Sequence, residues 1–358
     1  MAGHLSAAPR LTWHRDLTTP AAVADAIRQL LRRCHAESVE CVPARALNMI
    51  CVVAAERASA VAQRLDAAGR NHASRTIVCA VHGGGRSTLG ATATIESETD
   101  PAPGHGAVLR ETIALDVGER HLRHLDTIVD PLVVSDLPTV TWIPDHDEAA
   151  APLLSLAQAV LVDSVEVDDV ALALRRADAL RRRAHVVDLA WLRSTPWRER
   201  IAAAFDPDDV RDELAAITAV SVRHEPASRA VAVLFAGWLG SRLHWRMPPL
   251  EGGESDGDVR VTLSPVGEQH VRGLAGVTVA TASGRRLSLD RAPGGMAARL
   301  CIAGGDERRW TVLGASRGEH GVLGEGVRQA LLRDPAYGDA LDGARALVPG
   351  CGTPEAES

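Results

Sequence analysis

Residues 46–54 read Ala-Leu-Asn-Met-Ile-Cys-Val-Val-Ala, and residues 74–81 read Ser-Arg-Thr-Ile-Val-Cys-Ala-Val. Between them, residues 56–68 carry a helical period that stops at Gly69. Two apolar runs of strand length around one helix make a βαβ unit, because the helix returns the chain to the edge where the first strand began. Unbroken apolar runs, rather than alternating ones, predict strands covered on both faces. The fold class that follows is α/β.

Working outward, Thr19-Pro20 supplies a cap and a first-turn proline, and Val23, Ile27, Leu30, Leu31 and Cys34 follow at helical spacing. Residues 1–17 show no period and read as a loose tail. Downstream, 89–96 and 108–117 read as strands, with Leu109, Glu111, Ile113, Leu115 and Val117 on one face of the second. Residues 118–133 read as a helix broken by Asp136-Leu137-Pro138, 139–143 as a strand, and 160–164 as another βα step. Past these, 168–183 is helical, and Thr195-Pro196 repeats the cap-then-proline order ahead of Trp197, Ile201 and Phe205 on one helix face. Residues 217–222 form a strand and 228–243 a helix apolar on nearly every side. Short runs at 259–263, 274–280, 285–289, 297–303 and 308–313, divided by turn residues, predict an antiparallel meander before a last helix at 327–332. The expected organisation is a tail and amphipathic helix over 1–40 and an N-terminal α/β domain with a mainly parallel or mixed sheet over 41–165. An α+β C-terminal domain with the meander spans 166–345, and a disordered tail 346–358.

Composition narrows the chemistry. Among 358 residues, 46 acidic and 39 basic side chains give a net charge of −7, which argues against a nucleic-acid binder. Every basic residue is Arg, so no Walker lysine, lysine Schiff base or lysine general base is available. The six cysteines, Cys34, Cys41, Cys51, Cys79, Cys301 and Cys351, form no C-x-x-C pair. With no charged-then-apolar leader in 1–17, they read as thiols of a reduced, cytoplasmic protein. No apolar run approaches the roughly 20 residues of a membrane span.

Four motifs invite catalytic readings. His82-Gly83-Gly84-Gly85 resembles an oxyanion turn, and Gly314-Ala315-Ser316-Arg317-Gly318 matches a nucleophile elbow. An elbow needs an acid and then a His downstream, and His320, four positions on, is the last His of the chain. The glycine run could approach a phosphate, yet it lacks both a G-x-G-x-x-G spacing and a P-loop Lys. His121 and His124 with Asp126 and Asp130, and the triplet Asp145-His146-Asp147, read as polar surface more readily than as metal ligands. The sequence therefore yields no catalytic residue, no metal ligand and no cofactor.

Arginines beside tryptophans stand out: Arg193 and Arg198 around Trp191 and Trp197, and Arg242 four residues after Trp238. A guanidinium can stack on an indole while its fork holds an anion, and both residue types are enriched in binding hot spots. The competing reading is core tryptophans, with arginines paired to Asp188 or Glu199.

These segments carry a resemblance. Asp-Leu-Ala-Trp-Leu-Arg-Ser-Thr-Pro-Trp-Arg at 188–198 and Ala-Gly-Trp-Leu-Gly-Ser-Arg-Leu at 236–243 resemble OpcA, the glucose-6-phosphate dehydrogenase assembly family of actinobacteria and cyanobacteria. Weaker likenesses lie at 45–53, 72–78, 131–142 and 331–341 around Tyr337, so the resemblance covers roughly 40–340. Departures are Ala73, where the family usually has Pro, and Trp142-Ile143, where it commonly has Trp-Trp. The resemblance implies a non-catalytic protein that binds glucose-6-phosphate dehydrogenase and promotes its active oligomer as an allosteric activator. Candidate partner-binding residues are Trp191, Arg193, Trp197, Arg198, Trp238 and Arg242. The alternative is a sugar-phosphate-binding protein or enzyme, with Arg45 and Arg75 joining Arg193 and Arg198 around an anion.

Overall fold

The computed structural model describes residues 10–37, 45–69, 73–84, 88–98, 108–144, 150–267, 269–313 and 318–351. The chain divides into two compact units, one of residues 1–162 with 183–186, the other of 163–182 with 187–358.

The first unit is built on β1 (Arg10–Arg15), β2 (Leu47–Ala54), β3 (Ser74–His82), β4 (Gly90–Glu98), β5 (Val108–Gly118), β6 (Thr139–Trp142) and β7 (Ala159–Val162). With β8 (Val186–Asp188) they form one sheet in the order β1-β4-β5-β3-β2-β6-β7-β8. The βαβ expectation is met: β2 and β3 pair in parallel around α2 (Ala58–Gly69), with Ile50 opposite Ile77 and Val52 opposite Cys79. The pairs β3/β5, β2/β6 and β6/β7 are also parallel, while β4 joins β5 and β1 antiparallel, which makes the sheet mixed. The amphipathic helix α1 (Pro20–Glu37) contributes Val23, Ile27, Leu30 and Cys34 to one core cluster with Ile50, Ile77, Ile113 and Leu115, and among the strands lies nearest β4 and β1. Buried Asn48 is fully bonded: its amide donates to the carbonyls of Val134 (3.0 Å) and Leu137 (3.3 Å) and accepts from Val134 N–H (2.9 Å). It thereby ties the breaker at 133–138 to the central strand.

Two expectations change here, and one element is added. The loose start contains β1, because Leu11 and Trp13 alternate inward and β4 offers an open edge. The helix expected over 118–133 is a 3-10 turn (Glu119–His124), a short α3 (Leu125–Val129) and a second 3-10 turn (Asp130–Leu132). Pro131 breaks the helical ladder, and Gly118 belongs to β5. A short helix α4 (Ala150–Leu153) precedes β7.

The second unit opens with α5 (Val170–Arg181), α6 (Leu189–Ala204) and α7 (Asp208–Arg211). Its sheet comprises β9 (Ile217–His224), β10 (Glu254–Asp256), β11 (Arg260–Pro265), β12 (Leu274–Thr281), β13 (Arg286–Ala292), β14 (Gly295–Cys301) and β15 (Glu307–Leu313). Strand order is β10-β11-β9-β12-β13-β14-β15, and β12 to β15 form the expected meander. The run at 259–263 departs from that expectation, since β11 lies parallel to β9. The reason is α8 (Arg229–Leu243), which carries the chain back over the sheet between the two strands.

Helix α8 is buried from Ala230 to Gly237, as its all-round apolar sequence requires. It crosses α10 (Ala336–Leu347) at Gly237, where an added Cβ would lie 2.4 Å from the carbonyl oxygen of Ala340 and from the amide nitrogen of Ala344. Where the sequence suggests one last helix at 327–332 there are two, α9 (Gly318–Gln329) and α10, separated at Asp334-Pro335. Leu347, Val348 and Cys351 are buried, and the Cys351 thiol donates to the carbonyl of Ala171 at 3.3 Å. The described part of the expected disordered tail is therefore packed into the unit.

Candidate functional site

The segment 188–198 begins α6 inside the second unit. Asp188 caps the helix, accepting from Ala190 N–H at 2.9 Å. The helix accordingly starts at Leu189 and runs through Pro196, so Thr195 is not its cap. The Thr195 hydroxyl instead accepts from Arg198 Nη2 at 2.9 Å.

Asp188 is wholly enclosed, and its carboxylate also accepts from Ser164 N–H (3.1 Å), Ser164 O–H (2.6 Å) and Tyr337 O–H (3.3 Å). Burial, reinforced by the charge of Asp163, pushes its carboxyl up to about 6 against the pull of those hydrogen bonds. Burial likewise holds the Tyr337 phenol well above its ordinary range.

One turn further, Arg193 is bound on two edges. Nη1 and Nη2 donate to the two oxygens of Asp163 at 2.7 and 2.8 Å, while Nε and Nη2 donate to Glu319 at 3.3 and 2.7 Å. Burial opposes its charge, but the two carboxylates outweigh it and raise its pKa. Trp191 donates from Nε1 to Asp334 at 2.7 Å and meets the Tyr337 ring at 6.0 Å. The Arg198 guanidinium lies 3.4 Å from the centre of the Trp191 ring and 6.0 Å from that of Trp238. Burial lowers the Arg198 pKa to about 10.

The sequence candidates thus separate. Trp191, Arg193 and Trp197 are buried, Arg198 and Trp238 are half-buried, and Arg242 at the end of α8 is exposed. In the first unit, Arg45 and Arg75 do converge on an anion, and it is the protein's own Glu111, buried on the apolar face of β5 between Leu109 and Ile113. Arg75 also donates to the Leu132 carbonyl at 2.9 Å. The supposed anion site is therefore filled by Glu111. Missed by sequence reasoning were Asp163, Glu319, Asp334 and Glu111, the acids that hold these arginines and Trp191. The available signal was Asp163-Ser164 directly after an apolar strand run, and a Glu interrupting the apolar face of β5.

His82 Nε2 lies 2.8 Å from Asp116 at the ends of β3 and β5, while Ser316 and the triplet at 145–147 fall outside the described residues. Among the described residues, no group of three His, Cys, Asp or Glu could hold a metal, and no helix is long and apolar enough to cross a membrane.

Two family models match in succession. Residues 65–179 match the glucose-6-phosphate dehydrogenase subunit N-terminal domain, named for OpcA assembly, and 184–341 the C-terminal domain of the same subunit. This chain belongs to the OpcA family. Proteins provisionally named OxPP cycle protein OpcA are similar: that of Synechococcus elongatus is 30% identical over 153 residues, covering 41% of this chain and 34% of that one. That of Nostoc punctiforme is 31% identical over 179 residues, covering 48% and 38%. The chain thus spans about a third of the length of these OpcA relatives. Among solved structures, a Clostridium difficile dehydrogenase aligns with 84% of this chain and 96% of its own at 8% identity and a TM-score of 0.43. The apo scyllo-inositol dehydrogenase of Lactobacillus casei aligns with 85% and 95% at 9% identity and a TM-score of 0.44. Likeness at this level carries no chemistry across to the OpcA chain.

Proposed function

We propose that this chain is a non-catalytic partner of glucose-6-phosphate dehydrogenase that binds the enzyme and favours its active assembly in the oxidative pentose phosphate pathway. The observation that carries the reading is the ordered match of two domains described as a subunit of that enzyme. The geometry of 188–198 supports it: the segment's reactive side chains are spent on internal partners, Arg193 on Asp163 and Glu319, Trp191 on Asp334, Asp188 on Ser164 and Tyr337. From the same segment Arg198 reaches the Trp238 ring of α8 at 6.0 Å, and the end of that helix presents Arg242 and half-buried Trp238. These two are the surface we assign to the enzyme, with Trp191, Arg193, Trp197 and Arg198 positioning them from beneath.

A binding partner raises activity only by as much as it prefers the active assembly, and about 1–3 kcal/mol of preference gives a several-fold effect. The test is titration into purified glucose-6-phosphate dehydrogenase from the same source, with NADP reduction and light scattering followed together. A saturable rise in rate with a new co-migrating species is expected, and R242E should weaken it. Unchanged rate and mass would end the proposal, while an unaltered response in R242E would move the contact surface elsewhere.

A further inference from the structure

Within the second unit, α6, the first turns of α9, the loop before β12 and the end of β13 enclose a cleft of about 170 Å³. Its apolar lining comes from Leu192, Pro196, Val322 and the exposed Val271. Guanidiniums and carboxylates share the walls, and they differ in how far they are already engaged.

Arg272 is held by Glu166 at 2.6 Å, and Glu319 by Arg193. Arg291 is different. It is half-buried with Nε and Nη2 on the single carbonyl of Leu274, at 3.1 and 2.9 Å, and no carboxylate partners it among the described residues. Gly273 turns the chain beside it at φ +111°, a conformation that favours glycine, although a Cβ there would make only ordinary contact with Arg291 Nη2 at 3.6 Å. Arg200, exposed on the cleft wall, likewise has no ion-pair partner among the described residues. A partly desolvated guanidinium without a counter-charge favours an incoming oxyanion, which Arg binds through two parallel N–H bonds.

The same walls carry acceptors. Glu199 and Glu319 line the cleft, and carboxylates accept from hydroxyl groups. A ligand that satisfies both sets bears an oxyanion at one end and hydroxyls along its length. We infer that this cleft is a binding site for a small phosphorylated polyol, its phosphate on Arg291 and Arg200 and its hydroxyls toward Glu199 and Glu319. This assignment does not depend on the partner proposed above.

Isothermal titration calorimetry on the full chain tests it, with glucose 6-phosphate, glucose and inorganic phosphate as probes. Glucose 6-phosphate should bind at one site at least tenfold more tightly than either fragment, and R291Q should weaken it about tenfold. Because R291Q also loses the Leu274 contact, R200A, on an exposed position, and V271W, which adds bulk to the cleft lining, provide independent arms, each weakening binding in a chain whose circular dichroism is unchanged. The inference is overturned if glucose 6-phosphate gives no heat at millimolar concentration, or if inorganic phosphate alone binds equally well. Affinity untouched in both R200A and V271W overturns it too.

Discussion

In the first unit one carboxylate is shared by two arginines; in the second, one arginine is shared by two carboxylates. Glu111 is 1% exposed while its partners Arg45 and Arg75 are 20% and 12% exposed, so the surplus positive charge reaches water. Arg193 is 3% exposed and Asp163 fully buried, and the surplus negative charge sits on Glu319, 37% exposed. Each cluster places its excess where solvent can screen it, since a buried charge is tolerated only when paired. What differs is redundancy. Glu111 keeps a directly bonded counter-charge when either arginine is lost, whereas Asp163 has its one ion pair among the described residues with Arg193, and Arg272 adds only a more distant charge.

That asymmetry ranks the expected effects. Arg193→Ala leaves the buried Asp163 carboxyl without its ion-pair partner, and should cost about 3–5 kcal/mol in urea unfolding, the usual penalty for breaking a buried pair. A loss near 1 kcal/mol would mean that water already reaches the pair. Next comes Asp188, beside the Arg193 cluster. Its folded carboxyl sits at about 6, above the roughly 3.9 of an unfolded aspartate, so the folded state holds its proton longer. Stability from this group is therefore fully present below about pH 4 and falls as pH rises toward 6, by about 3 kcal/mol in total. Asp188→Asn should remove that contribution from the difference between the two pH–stability curves. Parallel curves would show that Asp188 ionises in the fold as freely as in the open chain. Glu111→Gln comes third, at about 2 kcal/mol, because the two guanidiniums it abandons can turn partly to solvent.

The fold was legible where local pattern and tertiary need coincide. Residues 46–81 announced a βαβ unit because strands covered on both faces are mostly apolar, and 228–243 announced a buried helix for the same reason. Thr195-Pro196 misled because its cap signal is local, while Asp188, seven residues earlier, caps the helix that the core requires. Residues 10–15 misled in the opposite way: the strand exists only because β4 offers an edge, which no window of sequence contains. The arginines were visible and their partners were not. Glu319 lies 126 positions from Arg193 and Asp334 lies 143 from Trp191, so the meeting is a product of topology and leaves no periodic trace.

The smallest expected effect is the most discriminating. Arg45→Ala should cost only about 1 kcal/mol, because Arg75 remains on Glu111 through Nε at 2.8 Å and Nη2 at 2.7 Å. Arg75→Ala should cost somewhat more, since it also surrenders the bond to the Leu132 carbonyl. If the two arginines back one another up, the first loss is cushioned and the second exposes the buried carboxylate. The double variant must then lose more than the sum of the singles, by about 1–3 kcal/mol. Additive losses would mean that each arginine contributes through its own packing rather than through a shared anion. The redundancy that sets this cluster apart from Arg193 would then vanish, and both units would obey the same one-partner rule.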